Sequence, residues 1–194
     1  MAGQINPGSK MGQALMALCA RPDVRTIVEI GTWNGEGSTQ CIRRAIESSD
    51  DTRFFYSLEL DFERWKQAMT FHQPLPKSMV ILHGRVSSLG KAPPIDLSEE
   101  ELGWWHADKK AEEEAEDVLH LLPDKIDLLL LDGGEFTSLQ DFKVLAPRSK
   151  YIMCDDVRAR KFRGLSVFTP PFFVRGADLE DRNGWAWGEN RNFK

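Results

Sequence analysis

Thr26-Ile-Val-Glu-Ile-Gly-Thr-Trp-Asn-Gly-Glu-Gly-Ser38 decides how this chain is read. Thr26 to Ile30 is β-branched and apolar apart from Glu29, the pattern of a buried strand, and it stops at Gly31. A helical pattern opens at Ser38. A strand that turns through glycines into a helix offers free backbone N–H groups and a positive dipole end to a ligand. The spacing Gly31-x-x-x-Gly35-x-Gly37 differs from the G-x-G-x-x-G of dinucleotide folds. Glu29 puts a carboxylate inside a strand, which is costly without a partner. These features imply a nucleoside-like ligand with a cationic, amino-acid-like part.

Working outward, the apolar positions of 9–21 (Met11, Leu15, Leu18, Cys19) predict a helix ended by Pro22. Helices are expected at Ser38–Glu47, Phe62–Phe71 and Ser138–Leu145, and strands at Arg53–Leu58, Met79–Leu82, Ile126–Leu131 and Tyr151–Cys154. Ser98-Glu-Glu-Glu101 matches a capping box. Beyond it Ala107, Ala111, Ala115, Val118, Leu119 and Leu122 form one apolar stripe opposite a solvated face of Lys109, Lys110, Glu113, Glu116 and Asp117. The tail reads as two strands, Leu165–Val174 and Trp185–Trp187, joined by a polar turn. Alternating strands and helices predict an α/β fold: a doubly wound, mostly parallel, Rossmann-like sheet closed by an antiparallel C-terminal hairpin, with residues 1–194 as one domain.

Composition narrows the function classes. The 194 residues are 41% hydrophobic and 28% charged, ordinary for a soluble domain. A net charge of −5 argues against general affinity for nucleic acid or anionic membrane. Three dispersed cysteines (Cys19, Cys41, Cys154) lack metal-ligand spacing and read as buried thiols of a reducing compartment. With neither a leader pattern nor an apolar span, a cytoplasmic location is expected.

Four predicted strands finish in acids or glycine turns: Glu29-Ile-Gly31, Glu59-Leu-Asp61, Asp132-Gly-Gly134 and Asp155-Asp156. Open α/β sheets bind ligands outside the carboxyl ends of their strands, although any one such acid can equally cap a helix. Glu59, ending the second strand, suits two ribose hydroxyls. Asp132, Asp155 and Asp156 offer hard oxygen ligands for a divalent ion such as Mg²⁺; otherwise one caps a helix and the others face solvent.

These residues resemble the class I S-adenosylmethionine-dependent methyltransferases over about residues 9–188. Narrowly, Leu131-Asp-Gly133 with Cys154-Asp-Asp156 resembles the Mg²⁺-dependent macrolide and aminocoumarin sugar O-methyltransferases and the cephalosporin-hydroxylase-like group. The resemblance implies cofactor contacts from Glu29, Gly31, Thr32, Trp33, Asn34, Gly35 and Ser38, from Glu59 and Leu60, from Arg85 and Val86, and from Asp132. It implies Mg²⁺ on Asp132, Asp155 and Asp156, and O-methylation of a sugar, polyol or phenol-like acceptor by a possible homo-oligomer. The alternative is an S-adenosylmethionine-binding partner or regulatory subunit without transferase activity.

Three departures qualify the likeness. Gly134 stands where the sugar enzymes carry a general-base aspartate, so either Glu135 supplies the base through a turn shifted by one residue or the role is vacant. The third-strand end reads Gly84-Arg85-Val86 where many relatives carry an acid over the adenine amino group, so backbone and apolar contacts are expected there. The chain before the first strand is short, so the acceptor pocket falls to 91–106, 157–176 or a partner subunit. Trp104-Trp105-His106 is either an aromatic lid or helix packing. Arg158, Arg160, Lys161 and Arg163 either grip an anionic acceptor or form a solvated basic loop.

Overall fold

A computed structural model describes residues 5–162 and 164–194. Seven strands form one sheet in the order β3-β2-β1-β4-β5-β7-β6: β1 (Thr26–Ile30), β2 (Phe54–Glu59), β3 (Met79–His83), β4 (Ile126–Leu131), β5 (Ser149–Asp155), β6 (Phe172–Asp178) and β7 (Trp185–Asn190). The first five are parallel, while β7 runs antiparallel to both β5 and β6. Strand order reverses between β1 and β4, the crevice where such sheets hold ligands.

β4 is apolar and buried along almost its whole length because both faces of the sheet are covered. On one face Ile27, Phe55, Leu128, Leu130 and Met153 pack with α1 (Lys10–Cys19), α2 (Ser38–Glu47) and α3 (Phe62–Phe71). On the other, Val28, Leu58, Leu129, Leu131 and Ile152 meet α5 (Ser138–Leu145) and the 118–122 segment. Truncating a fully buried residue such as Leu130 to Ala costs roughly 2–5 kcal/mol.

Local signals start the helices. The side chains of Ser9 and Asp61 accept from the N–H groups of Gly12 and Arg64. Ser98 and Glu101 form the expected capping box of α4 (Glu99–Glu114). Beyond that cap, α4 corrects the expected stripe. After Ala115 the chain turns extended and brackets Arg85, whose N–H donates to Glu116 O at 2.9 Å while Val118 N–H donates to Arg85 O at 2.9 Å. The stripe is therefore split between two elements. The helix turns Trp105 and Glu112 inward, with Lys109 paired to Glu112 at 2.8 Å, and Ala107 is exposed. Trp105 is buried in helix packing, as one of the two readings expects, whereas Trp104 is half exposed.

The sixth strand also starts later than its aromatic pattern suggests. Leu165 to Phe168 closes a turn through Phe168 N–H on Leu165 O, and Pro170-Pro171 lacks N–H donors for a ladder. Strand pairing begins at Phe172.

Candidate active site at the strand ends

A cavity of about 360 Å³ opens at the carboxyl ends of β1, β2 and β4. Its floor is the turn after β1. Gly31 has φ +97°, and a Cβ there would lie 2.4 Å from Asp132 O and 2.7 Å from Gly133 N. Only glycine lets the ends of β1 and β4 approach so closely.

Gly31, Thr32, Trp33 and Ser38 line the cavity, as do Glu59, Leu60, Arg85, Val86 and Asp132. Asn34 and Gly35 do not. Asn34 Oδ1 accepts from Glu36 N–H, and Gly35, at φ +87°, lies against the ring of His72. Glu29 is likewise beneath the surface rather than on it. It is fully buried, and the hydroxyls of Thr39 and Ser57 donate to its Oε2 at 2.7 and 2.6 Å. Since the single Ser57 proton goes to that carboxylate, Thr32 donates its own hydroxyl to Ser57 across 2.6 Å. Burial raises the Glu29 pKa against these donors. The predicted ligand contact at Glu29 is thus corrected to a buttress under the turn.

Glu59 is buried at the cavity edge. Its Oε2 accepts from Trp33 N–H at 2.6 Å and its Oε1 from Asp61 N–H at 3.0 Å. Burial pushes its pKa to about 7 despite those bonds. The Arg64 guanidinium stacks 3.5 Å from the centroid of the Trp33 ring, and both side chains border the opening.

The acid missing from the third-strand end arrives from elsewhere. Asp141 of α5 lines the cavity beside Val86 and Ser87, and the Ser87 hydroxyl donates to its Oδ1. Burial raises its pKa to about 7. Glu112 of α4 lines the same end and accepts from Leu89 N–H. Two acids therefore stand at the end of the cavity where the third strand itself supplies none. Neither acid stands out in the sequence, because each sits on a helix face whose orientation depends on packing.

Asp132, Asp155 and Asp156 come together as expected, one oxygen of each within 4.8 Å of the others. Burial first, then repulsion from Asp155, raises the Asp132 pKa; burial and Asp156 do the same for Asp155. The cluster already contains cations of the chain itself. Lys161 is buried with Nζ 3.2 Å from Asp156 Oδ2, 3.9 Å from Asp132 Oδ1 and 3.3 Å from Gly133 O. Arg182 Nη2 lies 2.5 Å from Asp155 Oδ2 and 3.8 Å from Asp156 Oδ1. Burial opposes the Lys161 ammonium, but the three aspartates outweigh it and hold its pKa above the ordinary value.

The neighbouring basic residues behave differently. Arg160 pairs with Asp96 and Glu101, Arg158 is exposed and donates to Leu179 O, and Arg163 lies outside the described residues. Glu135, expected as the base, is not among the residues lining the cavity and accepts Lys161 N–H at 3.0 Å. At Gly134 a Cβ would meet Asp108 Oδ2 at 2.6 Å, so an α4 carboxylate fills the space a longer residue would need.

Backbone strain is concentrated here. Among the described residues the non-glycine positions with positive φ are Trp33 (54°), Asp156 (51°) and Arg182 (57°), and all three line the cavity. Such conformations persist where surrounding structure over-determines them, commonly at functional sites.

No protein-family model and no curated protein matches the sequence. Solved structures do match. An O-methyltransferase from Bacillus cereus in complex with SAH is 16% identical, with a TM-score of 0.65 over 98% of this chain and 84% of that one. An SAH-bound methyltransferase from Podospora anserina is 13% identical, with a TM-score of 0.63 over 94% of this chain and 78% of that one. Strand order and these likenesses agree: the chain has the class I methyltransferase fold, with its cavity where strand order reverses.

Proposed function

We propose that this chain transfers the methyl group of S-adenosylmethionine to an oxygen of a small hydroxylated acceptor, a sugar, polyol or phenol. The observation that carries this reading is the juxtaposition, around one cavity, of the glycine turn after β1, the Glu59 carboxylate after β2 and Asp132 after β4. The SAH-bound neighbours of the same fold support it. The turn of Gly31 to Ser38 takes the methionine part, with the start of α2 toward its carboxylate. Glu59 and Leu60 take the ribose. Val86, Ser87 and Asp141 take the adenine, with Asp141 as acceptor for its amino group.

Methyl transfer is an in-line displacement at a sulfonium carbon, so alignment of nucleophile and methyl supplies much of the acceleration. The acceptor hydroxyl approaches from the Asp132 side and loses its proton to the Asp156 carboxylate, which borders the cavity. A divalent ion such as Mg²⁺ on Asp132, Asp155 and Asp156 would serve to lower the pKa of that hydroxyl. Lys161 already pairs with Asp156 and Arg182 with Asp155, so the donor set does not fit the ion as built. The expected setting is the cytoplasm, without nucleic acid or membrane as partner.

Calorimetry with S-adenosylhomocysteine tests the reading. Wild type is expected to bind it and to ignore NAD⁺, and Glu59→Ala is expected to weaken binding at least ~10-fold, about the loss of one charge-assisted contact. Equal affinity in Glu59→Ala, or no binding by wild type, refutes it.

A further inference from the structure

We propose that Lys161, backed by Arg182, is the resident cation of the aspartate triad, so that this centre holds the acceptor oxygen with an ammonium and takes no divalent ion. The inference rests on the methyl-transfer reading for its acceptor, but its structural part stands on the triad alone.

The geometry carries it. The Lys161 Nζ stands against two of the three carboxylates and a backbone carbonyl, at 3.2, 3.9 and 3.3 Å, the position an ion shared by those oxygens would need. Asp155, the third carboxylate, is 1% exposed and is taken by Arg182 at 2.5 Å. Mg²⁺ demands oxygen ligands at about 2.0–2.1 Å in near-octahedral array. Admitting it would expel an ammonium that is 3% exposed, or bring a third positive centre against two fixed ones. An ammonium displaced from these oxygens and left unpaired inside protein is strongly disfavoured.

The backbone is committed to the same pairing. Asp156 and Arg182 both hold positive φ, and they face one another across the ends of β5 and β7. Lys161 is further fixed by its own N–H on Glu135 Oε1, which makes Glu135 a positioning residue for the lysine.

An ammonium has three N–H donors. Two are engaged at 3.2 and 3.3 Å; Asp132 Oδ1, at 3.9 Å, is beyond hydrogen-bond distance, which leaves the third for an oxygen in the cavity that Lys161 lines. In the transfer, an acceptor oxygen lone pair forms the O–CH₃ bond and the C–S bonding pair returns to sulfur, leaving neutral S-adenosylhomocysteine. The hydroxyl proton passes to Asp156. The ammonium stabilises the negative charge growing on the oxygen and keeps its own protons, a role that replaces Lewis-acid assistance.

The test is Mn²⁺ binding to the full chain, followed by electron paramagnetic resonance with and without S-adenosylhomocysteine. Wild type is expected to leave Mn²⁺ free up to about 1 mM, weaker than a built carboxylate site. Lys161→Met, which keeps the apolar stem, is expected to bind at least ~10-fold tighter, with the gain abolished by adding Asp156→Asn. Micromolar, stoichiometric binding by wild type that Asp156→Asn removes would overturn the proposal. So would the absence of any gain in a Lys161→Met protein with native circular dichroism. Should that variant fail to fold, the wild-type titration still decides. Failure of the wild type to bind S-adenosylhomocysteine in calorimetry would remove the methyl-transfer reading, while the Mn²⁺ result would stand independently.

Discussion

Replacing Gly31 by Ala should unsettle the protein far more than one methyl group suggests. Two effects add. At φ +97° an L-residue incurs conformational strain of about 1–3 kcal/mol. The new Cβ would also stand 2.4 Å from Asp132 O, 2.5 Å from Asp132 C and 2.7 Å from Gly133 N. These are backbone atoms at the end of a strand hydrogen-bonded on both sides, so they cannot swing away as a side chain would. Overpacking of this kind adds about 1–3 kcal/mol. The sum is about 2–6 kcal/mol, and at roughly 2–4 °C per kcal/mol for a domain of this size Tm should fall by about 10 °C. Gly103 supplies the control. It lies within α4, and a Cβ there meets nothing within 4 Å. Gly103→Ala should raise stability by roughly 0.5–1 kcal/mol through helix propensity alone. Differential scanning calorimetry of both variants, with S-adenosylhomocysteine affinity measured alongside, is the check. A Gly31→Ala protein melting within about 2 °C of wild type would refute the close approach of β1 and β4.

Two further outcomes follow from buried titratable groups. Asp141 and Glu59 both carry pKa values raised by burial to about 7, so the native state keeps protons that the unfolded chain releases near 4. Their contribution to stability is therefore full below the ordinary carboxylate range and is lost as pH rises toward 7. Urea denaturation of ligand-free protein from pH 5 to 8 should show that decline, and Asp141→Asn should shrink it by roughly 2–4 kcal/mol; an unchanged profile would count against the buried acid. The thiols of Cys19, Cys41 and Cys154 are buried, with desolvation pushing Cys41 to about 11 and the other two higher still. Ellman's reagent should leave them untouched in native protein and react with all three in guanidinium, and a fast native reaction would contradict their packing.

How much of this is legible in the sequence depends on whether the deciding forces are local. The ranges of α2, α3, β4 and α5 agree with their patterns, because caps, periodicity and continuous apolar runs act within a few residues. The meeting of Glu59, Gly31 and Asp132 is also legible, since a parallel sheet brings all its strand ends to one edge. Glu29 misleads because partial burial and complete burial look alike in sequence; its partners Thr39 and Ser57 are distant hydroxyls with no motif of their own. Asp141 and Glu112 stay hidden because the 84–89 loop that faces them is positioned by the bracket at Arg85, a long-range pairing. Lys161 sits in a run of basic residues that reads as a solvated loop, and only the turn after Asp156 separates it from Arg158 and Arg160.

That turn and the last hairpin act together, and the reason is topological. A strand joining β5 in parallel would begin at the opposite, amino edge of the sheet. Because β7 is antiparallel, Trp185 pairs with Asp155, and the residues just before β7 arrive at the carboxyl edge. Arg182 is three residues upstream of Trp185, and its positive φ turns the side chain back onto Asp155 and Asp156. Gly184 O then accepts Val157 N–H and Asn183 O accepts Arg158 N–H, tying the 181–184 turn to the one that carries Lys161. The reversed strand thus delivers one cation and braces the loop that delivers the other. Two left-handed residues, each unfavourable by about 1–2 kcal/mol alone, are tolerated because they close this pairing.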